Sequence, residues 1–103
     1  MAHRVVWSPA ALEDAEAIAS YIARDSARYA AAVVRKLREA ARSLQDLPLS
    51  GRIVPELADE RIREKLVYSY RLIYRVEGNV ITIASVIHAR QSLETGIGRL
   101  SHR

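Results

Sequence analysis

The run RIREKLV, residues 61–67, carries Arg61, Arg63 and Lys65 two apart. In a strand that spacing turns all three side chains to one face. The stretch YRLIYRVEGNVITIASVIHAR, residues 70–90, then adds Arg71 and Arg75 and ends in His88 and Arg90. Such a set has the parts for cleaving RNA without a metal. That chemistry needs a base for the 2′-hydroxyl, cations for the charge on the phosphorane and an acid for the leaving oxygen. Lys65, Arg71 and Arg63 would supply the cations. His88 would be acid or base, because the ordinary histidine pKa lies near neutrality. Plainer readings of the same residues are a strand-end histidine bonded to backbone, a solvated sheet face, or a face for an anionic partner.

Whether these groups meet depends on the elements that carry them. EGNV, residues 77–80, reads as a hairpin turn with Gly78 and Asn79 at its centre, both able to take positive φ. A two-residue loop there sets Val76 opposite Ile81, Tyr74 opposite Ile83, Leu72 opposite Ser85 and Tyr70 opposite Ile87. That face is almost wholly apolar. The other face then holds Arg71, Ile73, Arg75, Thr82, Ala84, Val86 and His88, with Arg71 and His88 as diagonal neighbours. A three-residue bend at Val67–Ser69 would bring Lys65 opposite Arg71. One uncovered sheet face would then gather Arg61, Arg63, Lys65, Arg71 and Arg75, with no acidic residue among them and with His88 and Arg90 at its edge.

Upstream, HRVVW reads as a short strand over residues 3–7. Ser8 and Pro9 are an N-cap and a first helical residue. Leu12, Ala15, Ile18, Ala19 and Ile22 repeat at helical spacing as a buried stripe, while Glu13, Asp14 and Glu16 sit near the positive end of the helix dipole. Asp25 or Ser26 caps a second helix that runs to about Leu47 before Pro48 stops it; its stripe is Ala30, Val34, Leu37, Ala41 and Leu44, widened by Val33, Ala40 and Leu47. The short connection makes an antiparallel helical hairpin. LPLSGR is a loop, and IVPEL is at most a short edge strand because of Pro55. The order predicts an α+β fold, β-α-α-β-β-β with a further strand optional, its helical hairpin packed on one face of a mostly antiparallel sheet.

The totals narrow the class. The 103 residues suit one domain, residues 1–103, with 91–103 as a C-terminal tail. No run of about 18 apolar residues predicts a membrane span, and MAHRVVWSP lacks the apolar stretch of a signal peptide, so a cytoplasmic protein without membrane partners is expected. There is no cysteine, hence no thiol nucleophile or thiolate metal site, and His3, His88 and His102 lack metal-ligand spacing. No cofactor and no metal are expected. The net charge is +4, with fourteen arginines to two lysines. Residues 1–51 carry seven basic and six acidic side chains and residues 52–103 nine and six, so the excess lies with the hairpin.

Taken together, WSPAALEDAEAIASYIAR, LPLSGR, RIREKLVYSYRLIYRV and VIHAR, in that order and over almost the whole chain, resemble the ParE branch of the RelE/ParE superfamily, the toxins of bacterial type II toxin–antitoxin modules. The resemblance implies a toxin that inhibits DNA gyrase without catalytic residues of its own. It also implies neutralisation by a cognate ParD-like antitoxin with an N-terminal DNA-binding domain and a tail that wraps the toxin; the toxin itself is not expected to bind DNA sequence-specifically. The partner-binding residues would be Arg61, Arg63, Lys65, Arg71, Arg75, His88 and Arg90. The RelE branch implies the alternative, a ribosome-dependent mRNA endoribonuclease. Lys65, Arg71, His88 and Arg90 would then act, but the C-terminal tyrosine common in that branch has no counterpart in QSLETGIGRLSHR. A third reading is a basic interaction domain without toxicity.

Overall fold

A computed structural model of the chain describes residues 2–90. Its elements run β1 (Arg4–Trp7), α1 (Pro9–Ala23), α2 (Ala27–Ser43), β2 (Arg52–Ile53), β3 (Ile62–Val67), β4 (Tyr70–Glu77) and β5 (Val80–His88). The five strands form one sheet in the order β1-β5-β4-β3-β2. β1 runs parallel to β5 and the other pairs are antiparallel. This is the expected α+β architecture, with both helices packed on one sheet face. The tail from Gln91 onward, with His102, lies outside the described residues.

Both helices start where the sequence says. Ser8 accepts from the Ala11 amide and Ser26 from the Tyr29 amide, each hydroxyl satisfying one orphan donor of a first turn. α1 turns inward along Ala11, Ala15, Ile18 and Ile22, while Leu12 faces out. α2 contributes Val33, Leu37 and Ala41 and closes at Leu44, short of the expected Leu47, which is exposed. These side chains meet Leu72, Tyr74, Ile81, Ile83 and Val86 from the sheet. On the opposite face, Ile73, Ala84 and Ile87 lie under Val54 and Leu57 of the segment that follows β2. Both sheet faces are therefore partly dry, and the face expected to be uncovered has an apolar strap across it.

Two register features decide which residues share a face. First, β3 and β4 join through a two-residue turn at Tyr68 and Ser69, with Val67 opposite Tyr70. Tyr68 takes φ +53, a conformation in which a β-carbon crowds the backbone. The expected three-residue bend is thus one residue too long, and such a slip exchanges every side chain of a strand between faces. Lys65 lies opposite Leu72, and Arg63 opposite Tyr74, on the helix side. Glu64 takes the face that had been assigned to them.

Second, β5 carries an extra residue. Tyr74 pairs with Ile83 and Ile73 with Ser85, which leaves Ala84 as a bulge. The expected pairs hold on the turn side of the bulge and shift beyond it: Leu72 faces Val86, Arg71 faces Ile87 and Tyr70 faces His88. Val86 and His88 thereby move to the helix side, and Arg71 and His88 end on opposite faces. The first turns of α1 hold the bulge. Ser8 Oγ donates to the Ala84 carbonyl at 3.2 Å, and the Asp14 carboxylate accepts from Ser85 Oγ at 3.1 Å and the Val86 amide at 2.9 Å. Asp14, read from sequence as a dipole complement, is a strand clamp.

Candidate functional site

The strap face holds a buried chain of charges. Glu64 has no exposed side-chain surface, and burying a lone carboxylate is prohibitive. Arg71 Nε donates to one of its oxygens at 2.6 Å and Arg52 Nε donates to the other. The outer edge of the Arg71 guanidinium is closed by Glu56, whose oxygens lie 3.1 Å from Nη2 and 3.4 Å from Nη1. Arg71 is thus held between two carboxylates, with Glu56 delivered by the strap. Burial pulls the Arg71 guanidinium pKa down, but the bonds to Glu56 and Glu64 outweigh it and hold it above its ordinary value. The Arg71 bond likewise depresses the Glu56 carboxyl below the usual carboxylate range.

Arg63 and Lys65 serve a loop. Arg63 Nη1 donates to the Gly51 carbonyl at 3.1 Å and Nε to the Glu60 carbonyl at 3.0 Å. Lys65 Nζ lies 3.3 Å from both Ser43 Oγ and Ser50 Oγ. The same loop is anchored from the core by Tyr74, whose hydroxyl donates to the Pro48 carbonyl and accepts from the Gly51 amide, both at 2.9 Å. Burial raises the Tyr74 pKa, against the lowering effect of the Gly51 bond. A β-carbon at Gly51 would stand 2.6 Å from both the Glu64 carbonyl and the Tyr74 hydroxyl. LPLSGR therefore needs its glycine for close approach, and Tyr74 is a positioning residue that hydrophobic periodicity alone cannot distinguish from core.

The remaining candidates lie apart. Arg61 pairs with Asp59 in an exposed turn, at 3.1 Å and 3.2 Å. Arg75 Nε sits 3.2 Å from Glu77 Oε1, close enough for charge pairing but off the angle of a hydrogen bond. His88 packs edge-on against Tyr70, ring centroids 5.5 Å apart, and its Nδ1 accepts from the Arg90 amide at 3.1 Å. Arg90 is exposed. The seven basic residues thus do not form one field: Arg61, Arg71 and Arg75 stand beside carboxylates, Arg63 and Lys65 hold a loop, and His88 and Arg90 mark the end of β5. Among the described residues no group of three or more His, Asp or Glu could hold a metal ion, and no helix is long and apolar enough to cross a membrane.

The chain matches a known family over most of its length. The family model of the ParE toxin of the type II toxin–antitoxin system, parDE, matches residues 5–93. The chain belongs to the ParE toxin family. As a toxin of a type II toxin–antitoxin system it has solved counterparts of the same fold. The chromosomal ParDE system from P. aeruginosa superposes with a TM-score of 0.69 at 21% identity, over 84% of this chain and 95% of that one. A double arginine-to-alanine mutant of the E. coli toxin RelE in the free state gives 0.69 at 20% identity, over 97% and 99%. The toxin–antitoxin complex RelBE2 from Mycobacterium tuberculosis gives 0.58 at 27% identity, over 85% and 99%. No curated protein matches the chain.

Proposed function

We propose that this toxin acts by inhibiting DNA gyrase, as a binding protein without catalytic residues, and that a cognate ParD-like antitoxin holds it in check. The observation that supports this reading over RNA cleavage is the dispersal of the nuclease set. Arg71 is closed between Glu56 and Glu64 on the strap face. Lys65 reaches Ser43 and Ser50 on the other face, and His88 lies against Tyr70. Among the described residues Lys65, Arg71 and His88 do not converge on one point where a phosphorane could meet all three.

The antitoxin reading draws on the helical hairpin. A cleft of about 620 Å³ between the helices is floored by Ala19, Ala23, Ala27 and Ala30 and flanked by Arg35 and Arg38. An apolar segment with acidic flanks, folding as it binds, suits such a groove. Arg61 and Arg90, exposed, are available to the same partner. The toxin is taken as one domain over residues 1–103, acting in the cytoplasm.

Controlled expression in a sensitive host tests the target. Loss of supercoiling and DNA breaks, with intact mRNA, is the expected result. Codon-phased mRNA cuts at the ribosomal A site, abolished in Lys65→Ala and His88→Ala variants that still fold, would overturn it.

A further inference from the structure

Four of the five tyrosines lie outside the core, at the end of the molecule where α1 meets α2 and β3 turns into β4. Tyr21 is 69% exposed, Tyr68 52% and Tyr29 47%. The Tyr29 and Tyr68 rings meet edge-on with centroids 5.9 Å apart, and Tyr70 meets His88 in the same way at 5.5 Å. Tyr21, Tyr70 and His88 wall a cleft of about 260 Å³ whose floor is Ala17, Ile18 and Val86. Burial raises the Tyr70 hydroxyl pKa first, and the nearby Tyr29 and Tyr21 hydroxyls raise it further; Tyr68 joins this set through its ring contact with Tyr29.

An aromatic cluster this exposed exceeds what folding requires, since isolated surface aromatics are ordinary and contiguous apolar patches are not. Its construction also carries a cost: Tyr68 keeps a bulky side chain at φ +53, where glycine or asparagine would sit without strain. The margins are basic. The Arg24 guanidinium lies 5.9 Å from the centre of the Tyr21 ring, Arg28 precedes Tyr29, and the Arg90 amide is bonded to His88. Asp25 is the acidic residue of the intervening turn, and the Asp14 carboxylate, bonded to the amide of Val86 in the cleft floor, is the acidic group on the α1 side.

We infer that this tyrosine-walled cleft with its arginine margin is a binding site for single-stranded DNA, without sequence preference. Planar rings offer stacking faces to any base, and arginines beside them track the phosphates. The cleft has room for one planar heterocycle, and its apolar floor favours a deoxyribose, which has no 2′-hydroxyl to desolvate. The site is separate from the Arg71 network and does not depend on whether gyrase or mRNA is the target.

Fluorescence polarisation with labelled dT12 and U12 oligonucleotides and the purified full chain tests the site. Tyr21→Ala and Tyr70→Ala, both in the cleft wall, should each weaken dT12 binding by between about 5-fold and about 150-fold, the range measured for losing one stacked base. Tyr21→Phe should retain binding. Three phosphate contacts would give a slope of log affinity on log salt of about −2, and Arg24→Ala should make it shallower by about 0.7. Binding of U12 as tight as dT12 would overturn the assignment to DNA. Absence of dT12 binding, or binding unchanged in both alanine variants, would overturn the site and leave the cluster as a protein interface.

Discussion

Replacing Arg71 with alanine tests the reading of the buried charge chain. The change removes the inner partner of Glu64, whose side chain has no exposed surface, while that of Arg71 is only 8% exposed. Breaking a buried pair from one side costs about 3–5 kcal/mol, because the remaining charge stays buried. Arg52 still reaches the other Glu64 oxygen, but its side chain is 62% exposed, so its contribution is under about 1 kcal/mol. The expected loss is therefore about 3 kcal/mol, or a fall in melting temperature of about 12–24 °C for a domain of this size. Thermal and urea unfolding measure it. In the double variant Arg71→Met, Glu64→Leu, which removes both buried charges and leaves Glu56 and Arg52 solvated, most of the stability should return. An Arg71→Ala protein melting within about 4 °C of the parent would refute the argument. The pair also separates folding from function. If Arg71→Ala loses toxicity while the folded double variant still arrests growth, Arg71 is a structural residue and not a catalyst.

Gly51→Ala places a methyl against a backbone carbonyl and the Tyr74 hydroxyl, both at 2.6 Å, and should cost about 1–3 kcal/mol by urea unfolding. Ala58→Gly should stabilise by about 1 kcal/mol in the same assay, because Ala58 sits at φ +50. The folded-state pKa of Glu56 is depressed by Arg71, so its contribution is present above the ordinary carboxylate range and is lost as pH falls through the depressed value. Urea midpoints at pH 7 and pH 3 should therefore differ less in Glu56→Gln than in the parent.

Much of the fold was legible where local chemistry and tertiary need agree. Ser8 with Pro9, and Ser26, announce the helices, and Gly78 with Asn79 sets Val76 against Ile81 and Tyr74 against Ile83. The site was less legible because two single-residue features lack a composition cue. Nothing in VYSY says that a tyrosine will take positive φ to make a two-residue turn, and nothing in TIASV marks Ala84 as the extra residue. Each shifts a strand by one, and alternation turns that into a change of face. The imagined field of like charges thereby became Glu64 flanked by Arg52 and Arg71. The clamp from Ser8 and Asp14 joins residues more than seventy positions apart, beyond the reach of any local pattern.

The same clamp orders events in time. β5, which lies between β1 and β4, is the last of the described strands to leave the ribosome. β1 cannot pair, Ser8 and Asp14 have nothing to grip, and α1 lacks its sheet until β5 exists. The loop closed by Ser8 and Ala84 spans 76 residues, and such long-range contacts form slowly, after the local β3–β4–β5 meander. The grip of α1 on the sheet is therefore the step that waits for β5: until that strand is made, the two helices have no completed sheet to pack on.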